Sequence, residues 1–100
     1  MRVVSLGDLV LDVVVRAERD LARDADTPSR VTLSAGGQGA NVAAWVAALG
    51  GTARWLGKRA DDAAGRLAAD LLGEHGVELA GPVAPGRNGI IVSLAQRDGT

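Results

Sequence analysis

The chain has no cysteine, no phenylalanine and no tyrosine, and a single histidine. Without cysteine there is no disulfide, no thiolate nucleophile and no zinc-thiolate site. The lone histidine, His75, cannot build a histidine-based metal centre. Aromatic residues make up 2% of the 100 residues and the formal net charge is -1, so the basic face and stacking platform of a nucleic-acid binder are missing. No apolar run approaches the ~18 residues that would span a bilayer. The apolar opening after Arg2 is broken by Asp8 and Asp12, with no small-residue cleavage site behind it. The expectation is a cytoplasmic protein, with no membrane or nucleic-acid partner, that binds a small molecule.

What is present suits a folded α/β domain. Hydrophobic residues account for 47% and charged residues for 23%, the balance of a globular chain. Arg2 to Leu6 is a short apolar run that predicts a buried strand. From Leu9 the residues alternate, with Leu9, Leu11, Val13 and Val15 on one face and Val10, Asp12 and Val14 on the other. A charged stretch, Arg16 to Arg30, reads as a surface connection, and "VTLSA" as the next strand.

A helix should follow the glycines, because Val42, Trp45, Val46 and Leu49 recur at i, i+3, i+4 and i+7. Its remaining positions are mostly alanine, so a second layer can approach closely there. "ARWLG" predicts a further strand. Asp61 is placed as the cap of a second helix whose inner stripe is Ala64, Leu67, Ala68, Leu71 and Leu72. Asp62, Arg66, Asp70 and Glu74 are expected on its outer face as i, i+4 ion pairs, and His75 in its last turn as a structural residue. "VELA" and "GIIVSLA" are the last two strands, and Asp98-Gly99 signals a hairpin turn. Alternation of strand and helix implies a parallel sheet with right-handed crossovers. Two helices cannot cover both faces of such a sheet, so the chain is expected to be the truncated, N-terminal part of a larger fold.

Three glycines within four positions, Gly36, Gly37 and Gly39, invite comparison with phosphate-binding loops. The P-loop pattern fails, since "TARWLGKR" has Thr52 at the first glycine position and Arg59 at the hydroxyl position. The dinucleotide fingerprint fails at its third glycine, where Val42 stands. What remains is a strand that breaks at Gly36-Gly37 and resumes as a helix near Asn41, leaving backbone N-H groups beside the amides of Gln38 and Asn41. Such groups suit a neutral polyhydroxylated ligand. A tight turn with Asn41 as an ordinary helix cap is the alternative. Asp12 interrupts an apolar strand, where a carboxylate is costly unless hydrogen-bonded, and two vicinal hydroxyls would satisfy it. An edge-strand aspartate open to water is its alternative. Asp8 could cap a turn or sit at a pocket rim.

These residues in this order resemble the N-terminal third of a ribokinase-like (pfkB family) carbohydrate kinase. "VVSLGDLVLDVVV" is similar to the family's opening strand with its G-[DS]-x-x-x-D pattern, "GGQGANVAAWVAALGG" to its first signature, and "LGKRADDAAG" to the following G-x-x-G-D-D-x-x-G segment. The resemblance implies a three-layer α/β/α fold with a small β lid built from about 9–15, 31–35 and 89–95, the rest of 1–100 belonging to the core. It implies that Asp12, Gly37 and Asn41 hold the sugar, Gln38 with them, and that Gly36 and Gly37 form the lid hinge. Gln38 stands where lysine is common and Ala60 where glycine is frequent. The family's catalytic base, an aspartate in a late Gly-x-Gly-Asp motif, would lie beyond Thr100, as would the nucleotide site. The implied activity is ATP- and Mg2+-dependent phosphorylation of a sugar, with a monovalent cation requirement left open and a homodimer formed through the lid. A non-catalytic sugar-binding or lid-dimerisation module is the alternative.

Overall fold

A computed structural model describes residues 1–18 and 29–95. Strand β1 (Arg2–Leu6) is followed by β2 (Val10–Ala17) and β3 (Ser29–Gly36), then helix α1 (Gln38–Ala48) and strands β4 (Thr52–Leu56) and β5 (Arg59–Ala60). Helix α2 (Ala63–Glu74), β6 (Glu78–Ala80), β7 (Val83–Ala84) and β8 (Ile90–Ala95) complete the order. The strands run further than the sequence reading placed them, so Arg16 and Arg30 pair across β2 and β3 instead of standing in a connection. Within that connection, residues 19–28 lie outside the described residues, as does the Asp98-Gly99 turn.

The parallel sheet expected from the strand-helix alternation is present, in the order β1-β4-β6. Val3, Ser5, Ala53, Trp55 and Leu79 share the face on which the helices pack, with Ala53 and Trp55 fully enclosed. The opposite face carries Val4, Leu6 and Leu56 in the open. One covered face and one bare face agree with the expectation that two helices are too few.

Helix α1 packs through its small residues. Gly39, Ala40 and Ala43 are buried, whereas Val42, Trp45 and Leu49 are exposed. The periodic stripe of large residues is therefore not its inner face, and the alanine side is the one a second layer approaches. Close approach explains the choice: a β-carbon on Gly39 would lie 2.9 Å from the α-carbon of Gly7. Ser5, buried opposite, donates its hydroxyl to the Gly39 carbonyl at 2.8 Å, so the polar group is not stranded.

Helix α2 buries Ala68 and Leu72 of its predicted stripe, with Ala64, Leu67 and Leu71 partly buried against the core, and also Gly65, which the stripe did not include. Its cap is Asp62, not Asp61, because Asp62 has the extended backbone of a cap and accepts the Gly65 N-H at 2.8 Å. The expected ion pairs on its outer face do not form. Arg66 donates instead to the Asp61 carbonyl, and among the described residues the one ion pair is Arg54–Glu78 at 2.8 Å, between β4 and β6. His75 closes the last turn as the C-cap residue.

Candidate functional site

A second sheet has the order β3-β2-β8, with β3 antiparallel and β8 parallel to the central β2. The register separates its two faces by chemistry. Leu11, Ala35 and Ile90 lie side by side, as do Val13, Leu33 and Val92, and then Val15, Val31 and Leu94. The alternate face begins with Asp12 between Ser34 and Ile91 and continues with Val14 between Thr32 and Ser93. Leu11 and Val13 pack into the core, but Val31, Leu33, Val92 and Leu94 are exposed.

Asp12 is thus on a central strand, flanked on both sides, and half-buried. An edge-strand carboxylate standing open to water is not what the structure contains. Asp12 accepts no hydrogen bond from a described side chain, and its carboxylate lies over the α-carbon of Gly36, where a β-carbon would come within 2.5 Å of the carboxyl carbon. Gly36 ends β3 and Gly37 begins the helix as its N-cap, with φ at +96° and no side-chain cap. That φ lies in the region glycine tolerates, and the Asp8 carbonyl leaves no room there for a side chain.

The helix starts at Gln38, three residues before Asn41, so Asn41 is not the cap. Its N-H donates to the Gly37 carbonyl at 2.9 Å inside the first turn. The side chains of Gln38 and Asn41 are exposed and border a groove that also touches Ser5, Leu6 and Trp45. The structure therefore brings Asp12 against the Gly36-Gly37 junction and sets Gln38 and Asn41 on the turn that follows. Asp12 is not among the residues lining the groove of Gln38 and Asn41.

A cleft of about 420 Å³ opens at the carboxyl ends of β1 and β4, lined by residues 8–10, 58–60 and 84–89. Ligands of open α/β sheets collect at this end of the strands. Asp8 stands at its rim, one of the two places the sequence allowed. Sequence reasoning missed Asn88, which organises the wall. Its side-chain amide donates to the Leu9 carbonyl at 3.0 Å and its carbonyl oxygen accepts the Ala60 N-H at 3.3 Å. Its backbone N-H donates to Asp62 at 3.0 Å. Hydrogen bonds from Asn88 and then Gly65 hold the Asp62 carboxyl below its ordinary value of 3.8. No local pattern announces such a residue, because its partners are 26 to 79 positions away.

Comparison with known proteins follows the same lines. The sequence model of the family described as "pfkB family carbohydrate kinase" matches residues 1–99. The chain is 41% identical over 81 residues to Fructokinase-1 of Oryza sativa subsp. japonica, an alignment covering 81% of this chain and 24% of that protein. A carbohydrate kinase from Agrobacterium tumefaciens superposes with a TM-score of 0.80 at 27% identity, over 99% of this chain and 33% of that one. Phosphofructokinase-2 from Escherichia coli, solved with substrates and products, shares the fold with a TM-score of 0.82 at 22% identity, over 98% and 32%. The chain spans about a third of the length of these structures and about a quarter of that of the fructokinase.

Proposed function

The chain belongs to the pfkB family of carbohydrate kinases, and from that membership we propose that it serves an ATP-dependent sugar kinase by supplying the acceptor site and the lid. The observation that carries this reading is Asp12. A half-buried carboxylate on a central strand, without a described donor, is costly unless a ligand satisfies it. Two vicinal sugar hydroxyls can donate to its two oxygens, and charge-assisted bonds of this kind are the stronger class. Gly37, Gln38 and Asn41 offer backbone N-H and amide groups to the same sugar.

The β3-β2-β8 sheet is the lid in this reading, hinged at Gly36 and Gly37. Closure brings its polar face over the sugar and expels water, which favours transfer to the sugar over hydrolysis. No catalytic residue is assigned to this chain; in this reading the base and the nucleotide site belong to the part of the kinase fold that these residues do not span, since the chain covers 33% of a carbohydrate kinase of known structure. Among the described residues no three His, Cys, Asp or Glu side chains gather as metal ligands, so none is assigned to Mg2+ or to a monovalent cation. A cytoplasmic location belongs to the same reading; no helix among the described residues is long and apolar enough to cross a membrane.

A second function shares the same sheet. Its apolar face, which packs into the core at Leu11 and Val13, exposes Val31, Leu33, Val92 and Leu94 further along, a patch that suits a second copy of the lid. The reading is therefore a homodimer through the lid, whether the protein is a kinase or only a sugar-binding module. Asp12→Ala in the full-length enzyme decides the acceptor assignment. kcat/KM for the sugar should fall roughly a hundredfold or more while ATP affinity holds, and an unchanged specificity constant overturns it. The 100-residue chain alone should transfer no phosphate.

A further inference from the structure

Three described crossings join the β3-β2-β8 sheet to the rest of the chain: residues 7–9 ahead of β2, Gly36-Gly37 behind β3, and residues 85–89 ahead of β8. They differ in how they are tied. At Gly37 the chain turns at φ +96° and no side chain caps the helix that follows. The other two crossings are bound to each other, and to the core, by one half-buried residue, Asn88. Its side-chain amide donates to the Leu9 carbonyl at 3.0 Å and accepts the Ala60 N-H at 3.3 Å, while its own N-H donates to Asp62, the cap of α2, at 3.0 Å. Gly89, the next residue, accepts the Leu11 N-H at 3.0 Å. Both ends of the Leu9 to Leu11 segment are therefore fastened immediately ahead of Asp12.

An asparagine suits this post because its amide carries a donor and an acceptor in one plane. The partners fix its orientation: turned over, it would set donor against donor at Ala60 and acceptor against acceptor at Leu9. A lid on a glycine hinge alone could slide as well as turn. One tied crossing beside the loose one confines it to rotation about a defined axis. Asp12 lies three residues beyond Leu9, about 10 Å along the strand, whereas Ala17 at the far end lies eight beyond, about 26 Å. A given rotation thus moves Asp12 less than half as far as the tip, and its place is set by where the pivot holds β2. We propose that Asn88, seated on Asp62, is the pivot of the lid and the positioning residue that places Asp12 against the acceptor. This rests on the acceptor and lid readings above and adds to them a residue that acts through Asp12, not by contact with the sugar.

Kinetics and amide hydrogen exchange on the full-length enzyme test this. Asn88→Ala should raise KM for the sugar acceptor roughly tenfold while KM for ATP is unmoved, and Asn88→Ser, whose hydroxyl keeps one donor and one acceptor, should recover part of the loss. Added to Asp12→Ala, Asn88→Ala should cost the sugar nothing further, because the carboxylate it places is gone. A merely structural role would lower the melting temperature and the amount of active enzyme with both KM values intact, and additive losses would mean that Asn88 does not act through Asp12; either result overturns the proposal. Should Asn88→Ala not fold, Asp62→Asn loosens the same crossing and should move the sugar KM in the same direction. Exchange reads the pivot without turnover. In Asn88→Ala the amides of Leu11 and Ala60 should exchange roughly tenfold faster, while that of Asn41, bonded to Gly37 behind the glycine crossing, keeps its rate. Unchanged exchange at Leu11 sinks the pivot whatever the kinetics. An Asp12→Ala enzyme with normal sugar kinetics sinks the acceptor reading instead, and the pivot then stands or falls on the exchange alone.

Discussion

Asp62 holds two parts of the chain with one carboxylate: one oxygen accepts the N-H of Gly65 at 2.8 Å, capping the start of α2, and the other accepts the N-H of Asn88 at 3.0 Å, fastening the turn before β8. Both bonds favour the ionised form, and they outweigh the opposing effect of desolvation. The folded pKa is therefore below the unfolded one. The sign follows: this stabilisation is complete above the ordinary value of 3.8 and disappears as pH falls through the lowered folded value. Asp62→Asn, which keeps one acceptor and cannot ionise, should have a lower melting temperature at pH 7. The difference from wild type should shrink as the pH is taken below 3.8. A pH series of thermal melts checks it, and a constant difference down to the lowest pH would be contrary.

Asn88→Ala should be costly for a residue in a loop. It removes a donor to Leu9 and an acceptor for Ala60, leaving partly buried backbone groups unmet at about 1–3 kcal/mol. Asn88→Asp is the sharper variant, because a carboxylate retains the acceptor and sets a negative charge against the Leu9 carbonyl. Denaturant unfolding should rank wild type above both variants, with Asp no better than Ala. If Asp matches wild type, the bond to Leu9 contributes nothing.

Gly37 and Gly50 both have positive φ, at 96° and 90°, but differ in their surroundings. A β-carbon at Gly50 meets nothing within 4 Å, while at Gly37 it meets the Asp8 carbonyl carbon at 2.9 Å. Gly50→Ala should therefore cost only the backbone term, about 1 kcal/mol. Gly37→Ala should cost about 2 kcal/mol more, as displacement of the β1–β2 connection is added. Paired melts of the two variants measure the difference directly, and equal losses would remove the role given to the Asp8 contact.

The strands, the parallel sheet and the inner stripe of α2 were legible in the sequence because each is written in local periodicity. The orientation of α1 was legible only in half. Periodicity locates a face of large residues, Val42, Trp45 and Leu49, but cannot say whether the neighbouring layer wants bulk or closeness. Here Gly39 against Gly7 requires closeness, so the large residues turn outward. The choice between Asp61 and Asp62 had the same origin. Either aspartate is a good cap by composition, and the tie was broken by Asn88, which is 26 positions away and whose backbone N-H donates to Asp62 and not to Asp61. Asp12 and the glycine junction were legible as chemistry out of place. The role of Asn88 was not, since it meets Leu9, Ala60 and Asp62 only once the strands are laid side by side.

Trp55 is fully enclosed, yet its indole N-H meets no acceptor. Truncation to alanine should cost about 3–5 kcal/mol. Phenylalanine is a different case, since it loses ring volume but also removes an unmet donor whose burial costs about 1–3 kcal/mol. The two effects nearly offset, so Trp55→Phe should lie within about 1.5 kcal/mol of wild type. Chemical denaturation of the two variants checks this, and a Phe variant as weak as the Ala variant would mean that the N-H is not a liability.

Gly36→Ala connects the packing of the site to its chemistry. The position is buried and directly beneath the Asp12 carboxylate. A methyl group there cannot coexist with the present carboxylate position, so Asp12 must turn away or β2 and β3 must separate. If Asp12 holds the acceptor, Gly36→Ala in the full-length enzyme should raise KM for the sugar acceptor by roughly tenfold or more while the KM for ATP is unmoved. A purely structural role would lower the melting temperature and reduce the amount of active enzyme without changing the ratio of the two KM values. Combining Gly36→Ala with Asp12→Ala separates the cases, because once the carboxylate is gone the methyl group has nothing to displace. The double variant should then be no worse toward the sugar than Asp12→Ala alone.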